Sequence, residues 1–243
     1  MFTKKEKIYL LISILVLTFV FGFDDGAKSF VLEHWLLNFI RIFLFVLITI
    51  LFREIIIKFF ASRHDSVSEY NIWNVERIWL GSKGKLPRPL PFGIILSLIL
   101  TFASLGKFFF TAVGIHNLTE RRLSRVGRKL IRLNYFEEAQ IVSIGIISNL
   151  FLAIISIIIG RFFNLNVSDF VNLNFYIVLF NIIPLSNLDG AKIFFGSVFL
   201  YIFILVFVVA AFLLIKFSIV FSLLVAFLAA VICVGIYFYK VNW

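Results

Sequence analysis

From Trp35 to Phe60 the chain reads WLLNFIRIFLFVLITILFREIIIKFF, an apolar run broken only by Asn38, Arg41, Thr49 and a charged cluster of Arg53, Glu54 and Lys58. A stretch of about 20 mostly apolar residues in helical form spans the hydrocarbon core of a bilayer, so this run reads as a membrane helix. Six further runs flank it: Ile8–Phe23, Phe92–Ile115, Ala139–Ile159, Val171–Leu185, Ile193–Ile215 and Ser218–Tyr239. Across 243 residues 62% are hydrophobic and the mean hydropathy is +1.07. A soluble domain of that size needs a mostly polar surface and cannot place so much apolar side chain. The pattern predicts an all-α polytopic membrane protein forming a single domain over residues 1–243.

Charge sets the expected orientation. The net charge is +10, with Lys and Arg concentrated between the apolar runs. Orientation in a membrane explains that bias more economically than nucleic-acid binding, so the bilayer and not nucleic acid is the expected partner. Lys4, Lys5 and Lys7 precede the first run, and the acidic Asp24, Asp25 and Glu33 follow it. The N-terminus is therefore expected in the cytoplasm. Phe23 is followed by Asp24-Asp25-Gly26 with no small-residue cleavage pattern, so the first run reads as a retained helix. The single cysteine, Cys233, rules out an intrachain disulfide.

Phe92–Ile115 is different from the other runs. Positive charge lies on both sides of it, from Arg77, Lys83, Lys85 and Arg88 before it to Arg121, Arg122, Arg125, Arg128, Lys129 and Arg132 after it. Gly106-Lys107 breaks its middle, and it is too short for two full crossings. A re-entrant or interfacial hairpin leaning on helices two and five follows; a single crossing with an exposed basic loop is the alternative. With that hairpin counted apart, about six transmembrane helices are expected. In the basic segment after it, Leu123, Val126, Leu130 and Leu133 recur at helical spacing, as in an amphipathic helix on an anionic leaflet or a solvated loop.

The residues from Asn181 read Asn-Ile-Ile-Pro-Leu-Ser-Asn-Leu-Asp-Gly, ending at Gly190. This resembles the second signature of the site-2 proteases, the intramembrane zinc metalloproteases, in which N-x-x-P precedes D-G by four residues. Gly145-Ile-Ile-Ser-Asn149 is similar to the G-P-x-x-N of the same family, with Ile146 in place of proline. The best match to its HExxH motif is Arg53-Glu54-Ile55-Ile56-Ile57, and the matches cover roughly residues 35–192 in the family's order. That span would be the protease-like core, with residues 193–243 adding two transmembrane helices.

The resemblance implies a zinc ion held by residues at positions 53, 57 and 189, with Glu54 as general base. Two histidines at i and i+4 share a helical face and can bind zinc together. Here they are Arg53 and Ile57. A guanidinium has no lone pair to give and isoleucine has no donor atom, so Asp189 stands as a vestigial ligand, Glu54 as a vestigial base, and no cofactor is expected. His34, His64 and His116 do not share a helix face with Glu54.

Arg53 could replace the metal's charge and pair with Asp189; alternatively Asp189 caps the next helix while Arg53 reaches the interface. Glu54 and Lys58 have the spacing of a helical ion pair. Asn149, Asn181, Pro184 and Gly190 correspond to groove and core positions of the family, with packing as their simpler role. The functional expectation is a pseudoprotease that binds or shelters transmembrane segments on its cytoplasmic site face. An active protease with an atypical metal site and a small transporter or channel are the alternatives.

Overall fold

Some of the helices begin where the sequence supplies start signals. Thr3 caps Lys4–Gly22 (α1): its hydroxyl accepts from the Glu6 N–H, and the Glu6 carboxylate accepts from the Thr3 N–H. The same capping box, built from Asn134 and Glu137, opens Tyr135–Phe163. The computed structural model describes residues 2–27, 30–77, 85–120, 133–215 and 218–241. The basic stretch that contains Leu123, Val126 and Leu130 lies outside them.

Among the described residues the fold is 72% helical, with eight helices. After α1 come α2 (Leu32–Arg63), α3 (Phe92–Ala103), α4 (Tyr135–Phe163), α5 (Ser168–Asn181), α6 (Asp189–Gly196), α7 (Val198–Leu214) and α8 (Ile219–Val241). Three of these, α2, α4 and α8, are long and apolar enough to cross a membrane. Among the described residues four short strands are interspersed: β1 (Ser66–Ile72), β2 (Val75–Arg77), β3 (Lys85–Leu90) and β4 (Gly114–Glu120). β1 pairs with β4, and β2 pairs antiparallel with β3. These two small sheets add to the helical fold an element that the apolar runs do not announce.

The chain forms two compact units, one of residues 1–52 and 69–117, the other of residues 53–68 and 118–243. In the first unit α3 packs on α1, whereas the sequence reading leans this run on helices two and five. Phe102 sets its ring against Phe19 and Phe23. The break expected at Gly106-Lys107 is present: α3 stops at Ala103, and Leu105 and Gly106 take positive φ angles of 54° and 81°. The chain then returns, and the two ends of the run meet. A Cβ on Gly93 would lie 2.6 Å from the Val113 carbonyl, while Trp73 bonds to both, donating to Val113 O and accepting from Gly93 N–H.

Glu6, 1% exposed, anchors this unit to its strands by accepting the Tyr70 N–H at 3.0 Å. The Tyr70 ring meets the buried His116 edge to face. Gly114 is required beside it, because a Cβ there would collide with the Tyr70 phenol. In the loop after α1, His34 Nδ1 lies 3.0 Å from Asp25 Oδ2. That bond, aided by the Ala27 N–H, holds the Asp25 carboxyl below its usual range.

The second unit has its core among α4, α5, α6 and α7, where Ile146, Phe175, Val178, Ile193 and Val208 are buried together. α8 lies along α7 through a stripe of small residues, Ser222, Ala226 and Ala230, that lets the backbones approach. Its opposite face leaves Leu224, Leu228 and Ile232 exposed, which suits contact with lipid.

Candidate functional site

The site lies within the second unit, where the last part of α2 meets α4, α5 and α6. Arg53 and Ile57 are one helical turn apart and face α4 together. Gly145 makes room for both: a Cβ there would stand 2.6 Å from Ile57 Cδ1 and 3.1 Å from Arg53 Nε. The side chain of Arg53 thus crosses α4 at a residue that has none.

Asp189 lies beyond the end of α5. α5 stops at Asn181, and Asp189 is the first residue of α6. Pro184 lies in the exposed link between them, where its ring is tolerated outside the helix, and Ser186 takes a positive φ of 50°. This link folds back so closely that a Cβ on Gly190 would strike the Ile182 carbonyl. Gly190 therefore fixes where α6 begins and where Asp189 points. The long run expected over Ile193–Ile215 is likewise divided, since Ser197 is extended and caps α7 by accepting from the Leu200 N–H.

The structure brings Arg53, Asn181 and Asp189 together. Arg53 Nη2 donates to Asp189 Oδ2 at 2.5 Å and lies 3.5 Å from Asn181 Oδ1. Asn181 is oriented by its own amide, which donates to the Ile177 carbonyl at 2.7 Å. Arg53 is 4% exposed and Asp189 0%, so a full guanidinium–carboxylate pair is enclosed in the unit. Glu54 is also buried, on the next position of α2, and the Lys58 ammonium donates to the Ser68 carbonyl at 2.7 Å. Pro184 stays outside this buried group.

Asn149, 1% exposed, lies one turn beyond Gly145 on α4. Its Oδ1 and the Arg53 Nε have no hydrogen-bond partner among the described residues. One is an acceptor and the other a donor; the Arg53 Nε lies beside Gly145, one helical turn before Asn149 on α4. The seat provided by Gly145 is a contribution that motif matching alone does not reveal; its signal is a side-chain-free position four residues before Asn149.

A zinc ion of the kind the resemblance implies does not fit these residues. Asp189 offers its carboxylate, but its Oδ2 is engaged by a guanidinium that cannot act as a ligand, and Ile57 offers no donor. His64 stands with Arg63, Asp65, Glu120 and Glu137 around a separate cleft of about 220 Å³, while His34 and His116 belong to the first unit. Two carboxylates of that cleft serve the backbone: Glu120 accepts from the Leu133 N–H and Glu137 from the Asn134 N–H.

No family model, curated protein or solved structure matches the chain. The residues of the site therefore carry the functional reading by themselves.

Proposed function

We propose that this chain is a multi-pass membrane protein of the site-2 protease type in which an arginine has taken the place of the metal, and that it binds or shelters transmembrane segments without cutting them. The observation that carries this reading is the buried bond from Arg53 to Asp189. A positive group now stands on the carboxylate that a zinc ion would use. Two charges enclosed in a membrane unit are costly unless paired, and the pair keeps α2 and α6 in register without a metal.

In this reading α1 and α7 cross the membrane along with α2, α4, α8 and the α5–α6 region, and the N-terminus and Asp189 face the cytoplasm. The hairpin from Phe92 to Ile115 enters and leaves on the cytoplasmic side. Its adjacent ends and its exposed apolar tip, Phe102, Leu105 and Phe108, support this. Glu54 has no metal-bound water to activate and serves the structure. Asn149 and Arg53 offer an acceptor and a donor to the backbone of a guest helix that loosens locally.

Site-specific photocrosslinking tests the reading. With a photoreactive residue at Asn149, single-pass membrane proteins should be captured at full length, and the adducts should weaken with Gly145→Leu, which fills the α4 face. Captured clients found cleaved within their membrane segment, or no adduct beyond lipid, would count against it.

A further inference from the structure

The second unit holds a cavity of about 830 Å³ at the end of α4 remote from Asp189, between α4, the start of α5 and the end of α7. Its volume falls within the range of small-molecule sites. Sixteen residues separate Gly145 from Arg161, which is about 24 Å along the helix, so this is not the Asp189 site. The walls are apolar where Ile157, Val171 and Phe212 line them, and Phe212 stacks obliquely on Phe175 and Tyr176. The rim is polar, with Arg161, Asn164, Asn172 and Tyr176. Arg161 is the one charged side chain among the described residues that line the cavity.

Depth narrows the occupant. α4 is 29 residues long, about 44 Å, which exceeds the hydrocarbon thickness and puts its last turn at headgroup level. Phe162, Phe163 and Leu165 are exposed there, as suits the boundary between acyl chains and headgroups. A polar, cationic rim at headgroup level above an apolar chamber matches one molecule that the membrane supplies at high concentration.

We infer that this cavity is a phospholipid site, with Arg161 on the phosphate diester and one acyl chain lying against Ile157, Val171 and Phe212. A planar guanidinium can donate two parallel hydrogen bonds to phosphate oxygens, and the amides of Asn164 and Asn172 can support the glycerol esters. The apolar wall supplies affinity by burying methylenes, and the arginine selects the phosphate.

Native mass spectrometry of delipidated full-length protein, titrated with palmitoyl-oleoyl phosphatidylglycerol, tests this. One lipid should remain bound under activation that strips the others. Arg161→Gln and the cavity-filling Asn172→Trp both alter exposed residues, and each should weaken that lipid about tenfold or more. Arg41→Gln, an exposed arginine in the first unit, should leave it unchanged. Palmitoyl-oleoyl glycerol, which lacks the phosphate, should bind about tenfold more weakly, and excess inorganic phosphate should not displace the lipid. Unchanged retention in either cavity variant, equal binding of the phosphate-free lipid, or displacement by inorganic phosphate would each overturn the assignment.

Discussion

The guanidinium of Arg53 donates to the carboxylate of Asp189 at 2.5 Å, joining α2 to the start of α6 across 136 residues of sequence in an environment closed to solvent. Breaking such a pair from one side takes from the other buried charge its opposite charge. Arg53→Ala or Asp189→Ala should therefore destabilise the protein by about 3–5 kcal/mol, whereas Arg53→Met combined with Asp189→Leu should recover most of that loss. Denaturation in detergent, run as a double-mutant cycle, measures both, and additive losses would mean that the pair is not coupled.

Gly145 gives a second, graded test. Gly145→Ala must displace the tip of Ile57 and crowd Arg53, at a cost of about 1–3 kcal/mol. Ile57→Ala in the same chain should relieve part of that cost, so the double variant loses less than the sum. Gly235, with nothing within 4 Å of its added Cβ, provides the contrast. It lies inside α8, and Gly235→Ala should stabilise by about 0.5–1 kcal/mol in a thermal melt.

The acidic loop supplies a pH dependence. Asp25 is held below its ordinary value chiefly by its bond with His34. A depressed folded-state value means that this contact stabilises fully above the unfolded pKa, about 3.9, and that the contribution is lost as pH falls through the folded one. In carboxyl-selective NMR, His34→Ala should move the Asp25 midpoint upward. An unmoved midpoint would remove the bond from the account.

Introducing histidine donors tests the proposed likeness to a metalloprotease site. Arg53→His with Ile57→His places two imidazoles at i and i+4 on one face of α2, beside a carboxylate freed from its arginine. This double variant should bind stoichiometric zinc in a chelator-sensitive way, and failure to do so at full foldedness would argue against a metalloprotease-type site.

Sequence patterns reach part of this structure. The contact between positions 53 and 189, one of the two arrangements expected for Arg53 and Asp189, is present. The long helices follow from apolar runs of sufficient length. The start of α6 does not follow, because it depends on the Ile182 carbonyl closing over Gly190, a tertiary contact without a local signal. β1 shows the same limit: Ser66, Ser68 and Tyr70 alternate with exposed neighbours only once there is something to bury against. The Arg161 cavity lies between two helix ends whose polar residues read alone as an ordinary loop. Local pattern locates elements, whereas sites made from element ends depend on how those elements are brought together.

Metal content tests most directly the proposal that an arginine stands where a metal would be. Inductively coupled plasma mass spectrometry of wild-type protein, purified from zinc-supplemented cells without chelator, should find zinc well below one ion per chain, with no change in Asp189→Asn. One zinc per chain, lost in Asp189→Asn, would contradict the account.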